Sequence, residues 1–141
     1  MPQEPADLVQ VKIENFVGYI TLNRADRANS ITHAMIGTLS SAMEDFERNP
    51  HVRVIVITGN GKYFCSGMDL GAKNQQQLQQ QLKDGSAADQ ALALFSRLRK
   101  CSKPVISKIN GPALGGGFGI VFTTDVRLAV ESSHFSFAEV K

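Results

Sequence analysis

The chain has 141 residues, of which 43% are hydrophobic and 20% are charged, and its formal net charge at pH 7 is +2. This length suits one domain with a core of moderate size, and so small a charge does not favour binding to nucleic acid or to an anionic membrane surface. No run approaches the roughly 18 apolar residues that a membrane span needs, and the N-terminus lacks the features of a signal or transit peptide, which favours a cytoplasmic protein. A mitochondrial or peroxisomal precursor without its leader would have the same appearance.

The first half of the chain predicts a hairpin, a helix and a strand. Val9–Ile13 alternates between apolar and polar residues, and Phe16–Leu22 is rich in β-branched and aromatic residues, so the two predict an antiparallel hairpin. Thr32–Arg48 predicts an amphipathic helix, because apolar residues recur there at helical spacing. Val52–Gly59 is a continuous β-branched run, which is typical of a strand buried on both faces. The apolar positions of the helix are Ile31, Met35, Leu39, Met43 and Phe46.

The second half continues the alternation of helices and strands. Asn60–Gly71 is a loop punctuated by glycines, and the glutamine-rich Asn74–Leu82 predicts an exposed helical or mobile segment. A further helix should precede Lys103–Ile109, a second strand of the buried type. The glycine-rich segment Asn110–Phe122 should open another helix, and Asp125–Val130 is a third such strand. Three apolar residues set the helical spacing of the middle helix: Leu92, Phe95 and Leu98.

This order of elements indicates an α/β domain. Both glycine-bearing loops lie on the strand-to-helix side, where ligands gather at the carboxyl ends of parallel strands. The loops are therefore the first place to search for a functional site.

The cysteines and histidines show no pattern for metal binding or for thiol chemistry. Cys65 and Cys101 are too few for a disulfide framework, and no histidine lies near Cys65 in sequence to activate it as a nucleophile. The three histidines are far apart and lack ligand spacing, so we expect no metal site.

The glycine segment "NGPALGGGFGIVF" does not fit the known phosphate-binding patterns. A dinucleotide fingerprint counted from Gly115 would need a sixth-position glycine where Ile120 stands. A P-loop counted from Gly111 would need a lysine where Gly117 stands. The other glycine loop, "FCSGMDL", does not match the nucleophile-elbow pattern G-x-S-x-G, because Phe64 stands two residues before Ser66 where that pattern has its first glycine.

The remaining hypothesis is that backbone N–H groups of the two glycine loops bind a ligand. Each glycine loop, "FCSGMDL" and "ALGGGFG", turns sharply into the element that follows it, and the first residues of a helix carry unpaired N–H groups that glycine leaves accessible. Two such amides at one point would form an oxyanion hole. The alternative is that both segments are only tightly packed turns, and the residues alone leave the two interpretations equal.

Four stretches of the sequence carry a family resemblance: "TLNRADRANSIT", "VRVIVITGNGKYFCSGMDL", "KPVISKINGPALGGGFGI" and "DVRLAVESSHFSFAEVK". In their order and spacing they resemble the crotonase superfamily, the enoyl-CoA hydratase/isomerase family. The resemblance runs from about Val11 to Lys141. It implies an α/β fold of the crotonase type, a ββα spiral, and a single incomplete domain over residues 1–141 that is truncated before the family's C-terminal helices.

The resemblance also implies the site. The oxyanion hole would be formed by the backbone amides of Met68 and Gly116, which would hold the thioester carbonyl of an acyl-CoA substrate. No separate cofactor is implied, since coenzyme A is part of the substrate. The residues that match the family's CoA-contacting segments are Arg24, Ala25, Ala28, Ser66, Asp69 and Leu70.

The reaction is less sharply implied, because one family position departs from the pattern. Hydratases of the family use two glutamates; the second matches Glu139, but the first position is Gly119 here. Glycine cannot act as an acid or base, and one carboxylate suits a shuttle that moves a proton from C2 to C4. The resemblance therefore favours double-bond isomerisation by Glu139, with hydration as the alternative.

A second departure is length, because the family domain extends beyond Lys141. We expect a fragment or truncated form, marginally stable in isolation, and a non-catalytic or weakly CoA-binding chain is a further alternative. The complete family domain forms a homotrimer or hexamer. The apolar residues expected to lack packing partners are Val126, Leu128, Phe135 and Phe137.

Overall fold

The computed structural model of the protein describes residues 7–69, 71 and 73–137. The strands are β1 (Val9–Glu14), β2 (Val17–Leu22), β3 (Val54–Gly59), β4 (Val105–Ile109), β5 (Ala113–Leu114), β6 (Val126–Ala129) and β7 (Phe135–Ser136). The helices are α1 (His33–Arg48), α2 (Gln75–Asp84), α3 (Ser86–Arg99) and α4 (Gly116–Thr123), with a short 3-10 helix at Ala25–Arg27. In the described part of the chain, β1, β2, β3, β4 and β6 form the main sheet in that order, and β5 pairs with β7. The α/β expectation is confirmed.

The N-terminal hairpin is confirmed. β1 and β2 are antiparallel, with Glu14 opposite Val17. The two loop residues, Asn15 and Phe16, have positive φ angles of 51° and 66°. Positive φ at both positions is the turn geometry that follows the right-handed twist of paired strands. Phe16 is therefore a loop residue rather than the start of β2.

The strands β2, β3, β4 and β6 run parallel to one another. Their carboxyl ends consequently meet at one edge of the sheet. The chain leaves that edge after Leu22, Gly59 and Ile109, each time into a loop. This edge carries both glycine-bearing loops, as the sequence indicated.

Helix α1 covers one face of this sheet. Thr32 caps it: its hydroxyl accepts a hydrogen bond from the Met35 N–H at 3.2 Å. The contact with the sheet is close at Gly18 in β2, where an added methyl group would lie 2.6 Å from the ring of Phe46. The buried face consists of Met35, Ile36, Leu39, Ala42, Met43 and Phe46, and the predicted helix is confirmed.

Helix α2 confirms the expectation of an exposed helical segment, because none of its residues is buried. It packs against α3, which in turn contacts α1 and α4. Among the helices that the structure describes, none has the length and apolar character needed to cross a bilayer.

The structure corrects the prediction in two places. In α3 the predicted Leu92 is 63% exposed, whereas Leu94 is 1% exposed and lies in the core. Strand β6, at the edge of the described sheet, is exposed along its whole length, which contradicts the buried type but agrees with the expected lack of packing at Val126 and Leu128. The short pair β5 and β7 was not predicted, since two-residue strands carry no periodicity.

The four apolar residues expected to lack packing partners are exposed. Val126 is 46% exposed, Leu128 59%, Phe135 40% and Phe137 41%. The rings of Phe135 and Phe137 do contact the ring of Phe118 from α4, with centroid distances of 5.3 and 4.6 Å. The exposure is confirmed, and the two phenylalanines retain ring contacts with α4.

Lys103 provides a test of how α1 is joined to the sheet. Its Nζ donates to the carbonyl oxygens of Phe46 (2.6 Å), Asn49 (2.8 Å) and Val52 (2.6 Å) at the end of α1. We predict that Lys103→Met lowers the free energy of unfolding by about 1.5–3 kcal/mol, because these carbonyl groups lose a charged donor. Urea unfolding of the variant measures the change.

The matched control is Lys108→Met in β4, the strand that follows Lys103, where the side chain is exposed. It should change the free energy of unfolding by less than about 0.5 kcal/mol. Equal effects of the two substitutions would show that Lys103 does not anchor the helix.

Candidate active site

The side chains of two asparagines hold the loops at the carboxyl edge of the sheet together. Asn29, which is fully buried, donates its side-chain amide to the carbonyl oxygen of Tyr63 at 2.8 Å. Asn110 donates to the same oxygen at 3.0 Å, and its own side-chain oxygen accepts the N–H of Gly59 at 3.0 Å. The loops that follow β2, β3 and β4 are thereby fixed relative to one another.

Residues 66–69 lie alongside Ile31 as in a parallel strand pair. The Ile31 N–H donates to the oxygen of Gly67, and the Ile31 oxygen accepts the N–H of Asp69, both at 2.8 Å. Met68 lies between these two bonds. In a parallel ladder, alternate residues direct their N–H groups to opposite sides, so the Met68 N–H points away from Ile31.

The glycine segment brings a second amide to the same place. Gly115 has φ 53° and ψ −122°, a conformation that glycine tolerates at little cost, and its N–H donates to the oxygen of Ser136 at 2.7 Å. Helix α4 begins at the next residue, Gly116. The N–H of a first helical residue has no partner within its own helix.

The two amides lie side by side. A methyl group on Gly116 would lie 3.6 Å from the nitrogen of Met68, and one on Gly67 would lie 3.3 Å from the nitrogen of Gly116. Among residues 7–69, 71 and 73–137, neither the Met68 N–H nor the Gly116 N–H donates a hydrogen bond. Two neighbouring unpaired donors can together hold a negatively charged oxygen.

Gly117 explains how α4 approaches the loop that follows β3, the Met68 loop, so closely. A methyl group on Gly117 would overlap the backbone oxygen of Cys65 and lie 2.9 Å from its Cβ. The helix therefore begins in direct contact with the backbone of the preceding loop. Only a residue without Cβ fits this contact.

Gly119 faces a different neighbour, the ring of Phe95 from α3. A methyl group on Gly119 would overlap Cζ of that ring and lie 2.8 Å from Cε1. Phe95 is half-buried and packs against the core. The ring thus occupies the space that a side chain at position 119 would take.

Cys65 does not supply a nucleophile. The residue is buried, and burial raises the pKa of its thiol to about 12. At neutral pH the thiol is therefore protonated and unreactive. The sequence-based rejection of a cysteine nucleophile agrees with this environment.

The predicted CoA-contacting residues differ in how exposed they are to solvent. Arg24 is 6% exposed, while Ala25 is exposed and Ala28 is half-buried. Ser66 is half-buried, and its N–H donates to the oxygen of Ala28 at 3.0 Å, so these two residues are adjacent. Leu70 and the predicted base Glu139 lie outside the described residues. The roles assigned to this set stay predictions.

Sequence reasoning missed an ion pair within that set. The Nη1 atom of Arg24 lies 2.8 Å from Oδ2 of Asp69. The hydrogen bond from Arg24, followed by that from the Gly71 N–H, lowers the pKa of the Asp69 carboxyl group. The two residues are 45 positions apart, and no local pattern pairs them. The asparagine contacts of Asn29 and Asn110 were missed for the same reason.

Comparison with known proteins identifies the family. The family model described as enoyl-CoA hydratase/isomerase matches residues 12–141. The chain belongs to the enoyl-CoA hydratase/isomerase family, the crotonase superfamily. The crystal structure of an enoyl-CoA hydratase from Bacillus anthracis superposes with a TM-score of 0.82 at 30% identity, over 94% of this chain and 51% of that one. The expected crotonase-like fold is confirmed.

The relatives within the family include proteins named as hydratases and one named as an isomerase. The chain is 41% identical over 125 residues to the enoyl-CoA hydratase ACTT6 of Alternaria alternata, covering 86% of this chain and 39% of the relative. It is 28% identical over 149 residues to the peroxisomal Delta(3,5)-Delta(2,4)-dienoyl-CoA isomerase of Arabidopsis thaliana, covering 95% of this chain and 51% of the relative. The chain thus spans at most about half the length of these relatives.

A pair of glycine-to-alanine substitutions tests the close contact at the start of α4. We predict that Gly117→Ala lowers the free energy of unfolding by about 1–3 kcal/mol, because the new Cβ overlaps the Cys65 backbone. Thermal or urea unfolding measures the change.

The control is Gly37→Ala in α1, where an added Cβ meets nothing within 4 Å. That substitution should stabilise the protein by about 0.5–1 kcal/mol, since alanine favours a helix over glycine. A neutral Gly117→Ala would contradict the described contact.

Proposed function

We propose that this protein acts on acyl-CoA thioesters through an enolate, with the amides of Met68 and Gly116 as the oxyanion hole. A base removes a proton from C2, and the electron pair of that C–H bond passes to the carbonyl oxygen. Two preorganised N–H donors stabilise the resulting negative charge. The observation that carries the proposal is the pair of adjacent amides without hydrogen-bond partners in the described structure.

Glu139 is proposed as the base. The N–H of Gly115 donates to Ser136, so the chain at Ser136 passes directly beside the start of α4. Glu139 follows Ser136 by three residues, and three residues of extended chain reach at most about 11 Å. This short covalent connection supports the proposal that Glu139 acts at the oxyanion hole.

We propose double-bond isomerisation as the reaction. Position 119 carries no acid or base, and Phe95 fills the space beside it. A single carboxylate is sufficient for a 1,3-proton shuttle: Glu139 takes a proton from C2 of a 3-enoyl-CoA and returns it to C4, which gives the 2-enoyl-CoA. No separate cofactor takes part in this scheme, because the backbone supplies the donors and coenzyme A belongs to the substrate.

Hydration of a 2-enoyl-CoA is the second candidate. It is favoured by the names of relatives, among them the ACTT6 hydratase at 41% identity. It requires a group other than residue 119 to activate the water. A non-catalytic chain that binds acyl-CoA is the third candidate, and the trimeric or hexameric assembly of the complete family domain stays a prediction for this protein.

Substitution of Glu139 distinguishes these candidates. We predict that the protein converts 3-enoyl-CoA to 2-enoyl-CoA faster than it hydrates 2-enoyl-CoA. Glu139→Gln should lower the isomerisation rate by at least about 100-fold, because the amide cannot accept the proton. Absorbance of the conjugated thioester and chromatography of the products follow both reactions.

The same assay tests the donor at position 116. Gly116→Pro removes the N–H, whereas Gly116→Ala adds a side chain and keeps it. Loss of one oxyanion donor should lower kcat by about 100- to 1,000-fold relative to the alanine variant. Isomerisation that survives both Glu139→Gln and Gly116→Pro would refute the proposed mechanism.

The Phe95 contact yields a separate prediction about reaction choice. Gly119→Glu alone should produce no hydratase, because the Phe95 ring occupies the space of the new side chain. The double variant Gly119→Glu/Phe95→Ala should gain hydration of 2-enoyl-CoA by at least about 100-fold, the usual contribution of a positioned acid or base. Product chromatography measures 3-hydroxyacyl-CoA formation.

The control for this gain is Gly119→Gln/Phe95→Ala, which has the same shape without the acid. It should remain at the wild-type hydration rate. A wild-type protein that already hydrates as fast as the double variant would favour the hydratase candidate.

A further inference from the structure

Arg24 and Asp69 connect the two segments that orient the Met68 amide. The guanidinium of Arg24 donates from Nη1 to the backbone oxygen (3.2 Å) and the hydroxyl (2.8 Å) of Ser30. The same Nη1 donates to Oδ2 of Asp69 at 2.8 Å. Ser30 precedes Ile31, and Asp69 follows Met68. The side chain of Arg24 therefore connects the two segments at the point where the Met68 N–H points away from Ile31.

The burial of Arg24 argues against direct contact with the substrate. The family resemblance places Arg24 in a CoA-contacting segment, and a contact through its guanidinium would require that group to face solvent. Its side chain is only 7% exposed, and the Asp69 side chain is 36% exposed. A buried guanidinium whose hydrogen bonds go to protein acceptors has a structural role. If it moved to bind a phosphate, the Asp69 carboxylate would lose its counter-ion.

The backbone of Arg24 is held as firmly as its side chain. Its N–H donates to the side-chain oxygen of Asn29 at 2.8 Å, and its carbonyl oxygen accepts the Asn29 N–H at 2.9 Å. Asn29 is the fully buried residue that also binds the loop after β3 through Tyr63. Arg24 is thus part of one connected network that reaches the Met68 loop at two points.

We propose that Arg24 and Asp69 form a positioning pair that sets the direction of the Met68 N–H in the oxyanion hole. This inference rests on the proposed function of that amide. The pair does not touch the substrate; it acts through the backbone of residues 66–69. A displacement of about 1 Å in a catalytic group can lower turnover by about 100-fold.

The charge state of the pair supports this role. The Arg24 hydrogen bond lowers the pKa of Asp69, so the carboxylate stays ionised at neutral pH. The second oxygen of Asp69, Oδ1, accepts the N–H of Gly71 at 3.0 Å, which fixes Asp69 from the chain that follows it. The carboxylate is therefore bound from both sides.

The test compares Arg24→Met, Asp69→Asn and the double variant with Lys12→Met. Lys12 forms an exposed ion pair with Glu14 on β1, far from the Met68 loop in the fold, and is a matched control for the loss of a cation. We expect each single variant in the pair to lower kcat for a 3-enoyl-CoA by about 10- to 100-fold, with KM changed less than about 3-fold. The double variant should be no worse than the more severe single variant, because the two residues act as a unit.

A second readout needs no turnover. The sequence has four methionines, and labelling them with nitrogen-15 isolates the amide of Met68 from those of Met35 and Met43 in α1. In ligand-free protein, Asp69→Asn and Arg24→Met, which adds one methionine amide of its own, should both move the Met68 resonance and leave those of Met35 and Met43 in place. Saturating butyryl-CoA should shift the Met68 amide proton downfield in the wild type and in Lys12→Met, and by less than half as much in the pair variants.

The outcomes separate this inference from the proposed function. A wild type that turns over no enoyl-CoA contradicts the proposed function, and the ligand-free Met68 resonance still decides the positioning role. An unchanged Met68 resonance in both single variants overturns the inference, even in an active enzyme. A rise in KM with kcat unchanged also overturns it, because it shows that the pair binds substrate. Should Arg24→Met fail to fold, Asp69→Asn alone decides.

Discussion

The parallel pairing of residues 66–69 with Ile31 is the constraint on which the candidate site depends. A parallel ladder uses the N–H and carbonyl groups of one side of a segment and leaves those of the other side unpaired. Here the ladder uses the Gly67 oxygen and the Asp69 N–H. Met68 is left with an amide that faces the start of α4. The position of that donor follows from backbone hydrogen bonding rather than from any side chain of its own.

The glycine segment meets this constraint from the opposite side, and its glycines have different physical reasons. Gly115 adopts a positive φ at the turn into α4, and Gly117 lets the helix rest on the Cys65 backbone. Gly116 presents its N–H beside Met68. Gly119 faces the Phe95 ring, and it is the one whose identity bears on which reaction the site supports. A single run of similar residues therefore combines a turn, two close packing contacts and an N–H group that is unpaired among the described residues.

The sequence predicted most of the regular structure, and its assignment of Met68 and Gly116 as backbone donors stays a prediction. The hairpin and α1 follow from the spacing of their apolar residues, and β3 and β4 follow from continuous apolar runs. Burial within α3 was predicted less well: Leu94 rather than Leu92 enters the core. Helical spacing identifies a face, but the neighbouring helices decide which residues of a broad apolar stripe are covered. The apolar run of β6 likewise predicted a buried strand, whereas the structure leaves both of its faces exposed.

By itself, the sequence determined the family, the order of elements and the positions that could donate backbone hydrogen bonds. These properties are local, since they depend on residue types at fixed spacings along the chain. Only the tertiary structure decided what surrounds those positions: the ion pair of Arg24 with Asp69, and the ring of Phe95 against Gly119. Each joins residues from separate segments, and the physical reason is that close packing and charge pairing are settled by distance in space. No spacing along the chain encodes such a contact.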